Sequence, residues 1–410
     1  MPTKTKQPET KKIPKFRFSD FFGGWEEKKL GDVVEFWNGK AHEKDISKNG
    51  KYIVVNSKFV SSNGAVKKYS DRQISPLKKD DISIVMSDIP KGKAIAKCFL
   101  VDENEKYTLN QRIGRIKSKE IISPFLFRIL NRNKYYLKFD NGVSQTNLRK
   151  DEVLRCPVIF PSVLEQQKIA KFLDTVDEWI ENLRVQKESF EKYKKGIMQK
   201  IFFQEVRFRD DDGGDFVEWE EKRFGEIVEN FGGTSLEKYV DQNGDHKFIS
   251  IGNYTKDGRY NDDGKRIVLN DSTKKKLLNK GDLVMVLNDK TASGDIIGST
   301  ILIDKNNMYI YNQRSERLVL DQNKVSPVFL WFLLNSRFFR RMIVKNSQGG
   351  TQIYINFPVV KKIRACLPSL PEQQKIADFL TSIDNLIISK QQQITQAESW
   401  KKGLMQGLFV

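Results

Sequence analysis

Pro161-Ser162-Val163-Leu164-Glu165-Gln166-Gln167-Lys168-Ile169-Ala170 is a stretch that this chain states twice. The second statement is Pro368-Ser369-Leu370-Pro371-Glu372-Gln373-Gln374-Lys375-Ile376-Ala377. Further on, Lys194-Lys195-Gly196-Ile197-Met198-Gln199 returns as Lys401-Lys402-Gly403-Leu404-Met405-Gln406. The offsets 372 − 165 and 401 − 194 are both 207, so no residue is gained or lost between the blocks. Self-similarity of this kind sets the architecture before any other feature is read.

Both copies read as long helices. Each opens with a serine followed three residues later by a glutamate, Ser162 with Glu165 and Ser369 with Glu372. That spacing predicts a capping box. Pro371 falls in the first turn, where a missing N–H is tolerated. Apolar residues then recur in steps of four and three. In the first copy they are Ile169, Leu173, Val176, Ile180, Leu183, Phe190, Ile197 and Ile201. In the second they are Ile376, Leu380, Ile383, Ile387, Ile394, Ala397, Leu404 and Leu408. This is an a/d seam, interrupted by Lys187 and Lys194 in one copy and by Lys390 and Lys401 in the other. A helix of about 40 residues is roughly 60 Å long, a strut more than a core element. Two helices each buried in its own domain would also fit the pattern. Equal length and matching seams favour pairing of the two with each other.

The chain has 410 residues, room for two or three domains, and a formal charge of +18. That balance points to a polyanionic partner, nucleic acid ahead of an anionic membrane surface. No window approaches eighteen uninterrupted apolar residues, so no membrane span is expected. Residues 1–15 are polar and Lys-rich, without the apolar run of a secretory signal, and are expected to be a disordered tail. Cys98, Cys156 and Cys366 are scattered, and His42 and His246 lie far from any of them. A disulfide frame, a zinc site and a histidine-based catalytic pair are therefore not expected. The chain lacks a G-x-x-x-x-G-K-[ST] phosphate loop, a dinucleotide fingerprint and any Pro-Pro pair. It reads as a non-catalytic protein of the cytoplasm.

The rest of the chain is also doubled. Trp25-Glu26-Glu27-Lys28 returns as Trp219-Glu220-Glu221-Lys222, at an offset of 194, and Arg17-Phe18 is echoed by Arg207-Phe208. Each long helix therefore follows its own globular segment, and those segments differ in length. Strand-like runs are predicted at 51–55, 82–86 and 94–101, and again at 248–251, 283–287 and 296–303. Asn110-Gln111-Arg112 matches Asn312-Gln313-Arg314. Ser123-Pro124 and Ser326-Pro327 each open a short apolar helix. The resulting division is a tail at 1–15, a segment at 16–160, a helix at 161–204, an acidic solvated linker at 205–217, a segment at 218–367 and a helix at 368–410.

Candidate DNA contacts follow from the chemistry of phosphates and base edges. Lysine and arginine neutralise phosphates, while Arg, Asn and Gln offer the bidentate pairs that read bases. In the first segment the candidates are Lys67, Lys68, Lys91, Lys93, Arg112, Gln145, Asn147 and Arg149. In the second they are Lys274, Lys275, Lys290, Arg314, Arg340, Arg341, Gln348 and Gln352. The two Asn-Gln-Arg triplets fit either base readers or buried turns that brace the fold. The seam residues Ile169, Leu173, Val176, Ile180, Leu183, Ile376, Leu380, Ile383, Ile387 and Ile394 are the candidates for helix pairing and partner contact.

Two unlike segments, each followed by a helix beginning Pro-Ser-x-x-Glu-Gln-Gln-Lys-Ile-Ala or its close variant, resemble the specificity subunit of type I restriction–modification systems. The resemblance runs from Phe16 to Val410. It implies an α+β fold: two α/β target-recognition domains related by pseudo-two-fold symmetry, separated by an antiparallel coiled coil of the two long helices. It also implies that each domain reads one half of a split site in double-stranded DNA. Two methyltransferase subunits using S-adenosylmethionine would dock on the helices, with restriction subunits adding ATP- and magnesium-dependent steps. The chain itself would carry no cofactor and no membrane contact. A freestanding DNA-binding regulator or architectural protein is the alternative the sequence leaves open.

Overall fold

The computed structural model describes residues 12–89, 93–140 and 145–409. They form two compact units, and the division cuts both long helices. The first unit runs to Asn182 and takes in the chain from Gln393 onward; the second is Leu183–Gln392.

The long helices are Val163–Phe202 and Leu370–Leu408. In the first unit, Ile169, Leu173, Val176 and Ile180 are buried, as are Ile394, Ala397 and Leu408 of the other helix. Phe172 and Trp179 meet Trp400 edge-on, with ring centroids 6.4 and 6.3 Å apart, and Asp177 pairs with Lys401. In the second unit, Leu183 and Ile201 are buried with Ile376, Leu380 and Ile383, and Ile387 is half-buried. Lys194 pairs with Asp384 at 2.6 Å. Each unit thus holds the beginning of one long helix beside the end of the other. Both ion pairs join a lysine of the repeated Lys-Lys-Gly block to an aspartate on the other helix. The offsets 401 − 194 and 384 − 177 are both 207, so one contact is made twice. Two of the four lysines that interrupt the seam, Lys194 and Lys401, meet opposite charges there.

The helix starts differ from the sequence expectation. Glu165 and Glu372 do not close a capping box with the preceding serine; both are buried, and each carboxylate takes an arginine. Arg17 donates to Glu165 through Nε and a terminal nitrogen, both at 2.8 Å. Arg207 donates to Glu372 at 3.3 and 3.0 Å, and Trp219 adds its indole N–H at 3.1 Å. Ser369 Oγ is buried without a partner. A full positive charge satisfies a buried carboxylate better than one backbone N–H, which is why the ion pair wins.

The next residue of the motif clamps a second element. Gln166 accepts from the Ile122 N–H and donates to the Pro161 carbonyl, at 2.9 and 2.8 Å. Gln373 accepts from the Ser326 N–H and donates to the Lys324 and Pro368 carbonyls, all at 2.9 Å. The bonded N–H groups sit at the starts of helices Ser123–Leu130 and Pro327–Asn335. A long-helix side chain therefore satisfies a donor that the short helix leaves open.

Each globular segment is built on a four-stranded antiparallel sheet with the same connectivity. In the first unit its order is Val34–Asn38, Ile113–Ser118, Ile82–Val85 and Cys98–Leu100. In the second it is Val228–Gly232, Ser315–Leu320, Leu283–Val286 and Thr300–Leu302. A smaller sheet follows in each, with one parallel pair: Tyr52–Val55 with Tyr107–Leu109, and His246–Ile249 with Tyr309–Tyr311. The run expected as a strand at 94–101 begins instead as a turn, with Ala96 at φ 55°. The linker after the first long helix is exposed over 211–215, yet it is pinned to the second helix. Besides the Arg207 pair, Phe208 packs on Phe379 and Lys375 pairs with Asp211 at 2.6 Å.

Candidate nucleic-acid interface

The Asn-Gln-Arg triplets are turns that close the parallel pair in each unit. Asn110 N–H donates to the Val55 carbonyl at 3.1 Å, and Asn312 N–H to the Ile249 carbonyl at 3.0 Å. Gly39 and Gly233 lie against these turns so closely that a Cβ on either would overlap the asparagine carbonyl. Only glycine permits that approach. The turn carbonyls of Arg112 and Arg314 accept from Met86 and Leu287 N–H at 3.0 and 2.9 Å. Asn312 is buried and braces its surroundings, accepting from Leu236 N–H at 3.0 Å and donating to Glu237 at 2.7 Å. The bracing alternative holds for the asparagine of each triplet. The asparagine backbone ties the turn down, while Arg112 and Arg314 are exposed.

In the first unit a cleft opens beside this turn. Asn38, Gln111, Arg112, Gln145, Asn147, Arg149 and Lys150 line it. Thr146–Asn147 pairs with Ser87–Asp88, which carries Gln145 and Asn147 to the cleft edge. Gln145 donates to Ser87 Oγ at 2.8 Å and to Asn147 Oδ1 at 3.3 Å. Asp88 accepts from the N–H groups of Ala94 and Ile95 at 2.6 and 3.1 Å, holding one end of the adjoining loop. Lys91 lies outside the described residues, and Lys93 is exposed. Lys67 and Lys68 are exposed but do not line the cleft.

In the second unit a cleft also borders the turn, lined by Glu237, Lys290, Gln313 and Arg314 with Ser250 and Gly252; it shares only the glutamine and arginine of the turn with the first. Asp289 accepts from Thr291 and Ile296 N–H at 2.9 and 2.7 Å and so fixes the loop that carries Lys290. Gln348 and Gln352 are exposed around the hairpin formed by Gln348–Gly349 and Ile353–Tyr354. That hairpin pairs with Asn288–Asp289. Lys274 and Lys275 are exposed outside the cleft, and Arg341 is exposed on helix Arg337–Lys345. Arg340 is turned inward, donating to the Asp295 carbonyl at 2.9 Å. Burial lowers its pKa to about 10 against the pull of Asp289 and Asp295. It braces a loop and is poorly placed to meet a phosphate. At Glu237 burial works to raise the pKa, but hydrogen bonds from Asn312, Ser235 and Gln313 outweigh it and hold the group at about 2.

Sequence reading passed over one feature, an exposed aromatic at matching positions of the two units. Trp37, next to Asn38, is 41% exposed and carries the Arg115 guanidinium over its ring at 4.7 Å. Phe231 is 51% exposed at the matching position, since 231 − 37 is 194, the offset of the repeated Trp-Glu-Glu-Lys. Projecting that offset forward would have found the pair. His42, by contrast, is a brace: its ring nitrogens meet the Lys40 carbonyl and Thr108 Oγ1 at 2.7 and 2.8 Å.

Residues 23–191 and 216–399 each match the Type I restriction modification DNA specificity domain. The chain belongs to that family. The Type I restriction enzyme MjaVIII specificity subunit of Methanocaldococcus jannaschii is 30% identical over 412 residues, 93% of this chain and 91% of that one. The StySPI specificity subunit of Salmonella potsdam is 23% identical, over 88% of this chain and 78% of that one. Among solved structures, the type I restriction–modification S subunit from M. genitalium matches with a TM-score of 0.57 at 17% identity. The match covers 97% of this chain and 99% of that one. The fold is therefore that of a specificity subunit, with two recognition segments of mixed helix and strand, and the function is sequence-specific DNA recognition in type I restriction–modification. No helix among the described residues is long and apolar enough to cross a membrane.

Proposed function

We propose that each unit reads one half of a bipartite duplex site through its cleft, and that the helical pair fixes the distance between the halves. The observation that carries this is one braced turn repeated in two units that share the same two helices, each turn presenting a glutamine and an arginine to a polar cleft. The recognition segments are taken as 16–160 and 218–367, joined to the helices at 161–204 and 368–410. The chain works as a non-catalytic subunit in the cytoplasm. Two methyltransferase subunits and the restriction subunits supply the chemistry, with S-adenosylmethionine, ATP and magnesium bound by them.

Doubled features on the helices support a partner present in two copies. Trp179 and Trp400 are exposed in the first unit, and Leu386 and Tyr193 at the matching positions of the second. Gly196 and Gly403 face open space, so close packing inside this chain does not account for a glycine there. A mid-helix glycine costs about 1 kcal/mol against alanine, which a docked partner would offset.

The test exchanges residues 16–160 for those of another family member and maps methylated adenines. One half of the methylated site should change and the other remain. A change in both halves, or in neither, refutes the division of labour. Purification without a methyltransferase partner would favour a freestanding regulator.

A further inference from the structure

Gln111 and Gln313 each follow the braced asparagine and precede an exposed arginine. Each gives its amide to a carboxylate at 3.2 Å, Gln111 to Glu43 and Gln313 to Glu237. A carboxylate can only accept, so the amide nitrogen must face it. This settles which way round the amide stands, something a free glutamine leaves open. One N–H and the carbonyl oxygen then remain for a ligand. That is the donor and acceptor pair that matches adenine N7 and N6 in the major groove.

The arrangement recurs although the segments have diverged. Glu43 and Glu237 are 194 residues apart, as the repeated tryptophans are, whereas Gln111 and Gln313 are 202 apart. Eight residues separate those offsets, and the carboxylate–amide pair persists across the change. Each glutamate opens a short 3-10 turn, Glu43–Asp45 or Glu237–Tyr239, which sets it opposite the Asn-Gln-Arg turn.

The geometry points to Gln111 and Gln313 as adenine-reading residues, one in each unit, held in reading orientation by Glu43 and Glu237. This rests on the reading of the two clefts as half-site readers. The glutamates are positioning residues and need not touch the base. Arg112 and Arg314, next in the chain, are then placed for a neighbouring guanine or phosphate.

The experiment uses the full chain assembled with its methyltransferase partner and a panel of duplexes. Each duplex carries the native site with one base pair replaced. Gln111→Ala should reduce the preference for A·T at one position of one half by roughly tenfold to a hundredfold, leaving the other half unchanged. Glu43→Gln should relax the same position by less, and should add nothing once Gln111 is alanine. Gln313→Ala should act the same way in the other half. An unchanged preference at every position overturns the proposal. So does a uniform loss across all duplexes, or an effect of Glu43→Gln that survives the loss of Gln111. A wild-type assembly that shows no bipartite preference would instead overturn the reading on which the proposal stands.

Discussion

Arg17→Ala and Arg207→Ala remove matching side chains from the two joints and should not cost the same. Glu165 is 1% exposed and Glu372 fully buried, so either substitution strands a carboxylate away from water. Breaking a buried pair by deleting one partner costs about 3–5 kcal/mol. The joints differ in what is left behind. Glu372 keeps the Trp219 indole N–H at 3.1 Å, whereas Trp25, the matching tryptophan, has a buried Nε1 with no partner. A hydrogen bond to a charged group contributes about 1.5–3 kcal/mol. Loss of Arg17 should therefore exceed loss of Arg207 by about that amount. Native-state hydrogen exchange reads the two joints separately in one chain. The reporters are the strand pair Glu26–Lys29 with Pro157–Phe160 and the pair Glu220–Arg223 with Arg364–Leu367. Glu165→Gln in the Arg17→Ala background should recover most of the loss, because it removes the stranded charge. Equal losses in the two units, or a larger loss in the second, would refute the role given to Trp219.

Asp384→Ala should destabilise the second unit by about 3 kcal/mol, since it leaves Lys194 and Arg259 facing each other without their shared carboxylate. Exchange at Leu283–Val286 would report it, and unchanged protection there would contradict it. Ile180→Asp should impair assembly and methylation more than Ile387→Asp, because Ile180 is fully buried and Ile387 only partly. Normal methylation by the double mutant would count against a shared seam, and equal impairment by the two single mutants against the ranking by burial. Glu237 sits at about 2 in the folded unit against an ordinary 4.5, so its stabilising contribution is complete above pH 4.5 and is lost as pH falls toward 2. Acid titration of the second unit should show this loss, and Glu237→Gln should flatten it over that window.

The doubled helix was legible in the sequence because a heptad seam has a period and a repeat has an offset. The role of the motif at its start was not, because its partners lie 148 and 165 residues away along the chain. Arg17-Phe18 and Arg207-Phe208 could be seen as an echo without showing what they touch. The pattern expected of Ser162 and Glu165 was a local one, and a buried carboxylate settled instead on a distant guanidinium. Base-reading candidates fared unevenly for a similar reason. Arg112, Gln145, Asn147 and Arg149 converge because a two-residue strand brings 146–147 beside 87–88, a pairing with no signal in composition. Arg340 looks like any other basic residue in the sequence, and only the Asp295 carbonyl it holds shows it to be a brace.

The joint explains how recognition segments can diverge while the frame holds still. Along each long helix Glu165, Lys168 and Phe172, or Glu372, Lys375 and Phe379, fall at i, i+3 and i+7, on one face. That face grips Arg17, Asp20 and Phe18 in one unit, and Arg207, Asp211 and Phe208 in the other. On another face, Gln166 or Gln373 holds the start of the short helix. Every one of these contacts lies away from the clefts. A change at Gln145 or Lys290 therefore leaves the clamp untouched, while a change at Glu165 disturbs the frame that holds the cleft and leaves the cleft's own side chains as they are. Substitutions in the clefts should change which sequence is read, and substitutions in the clamp should weaken every sequence alike.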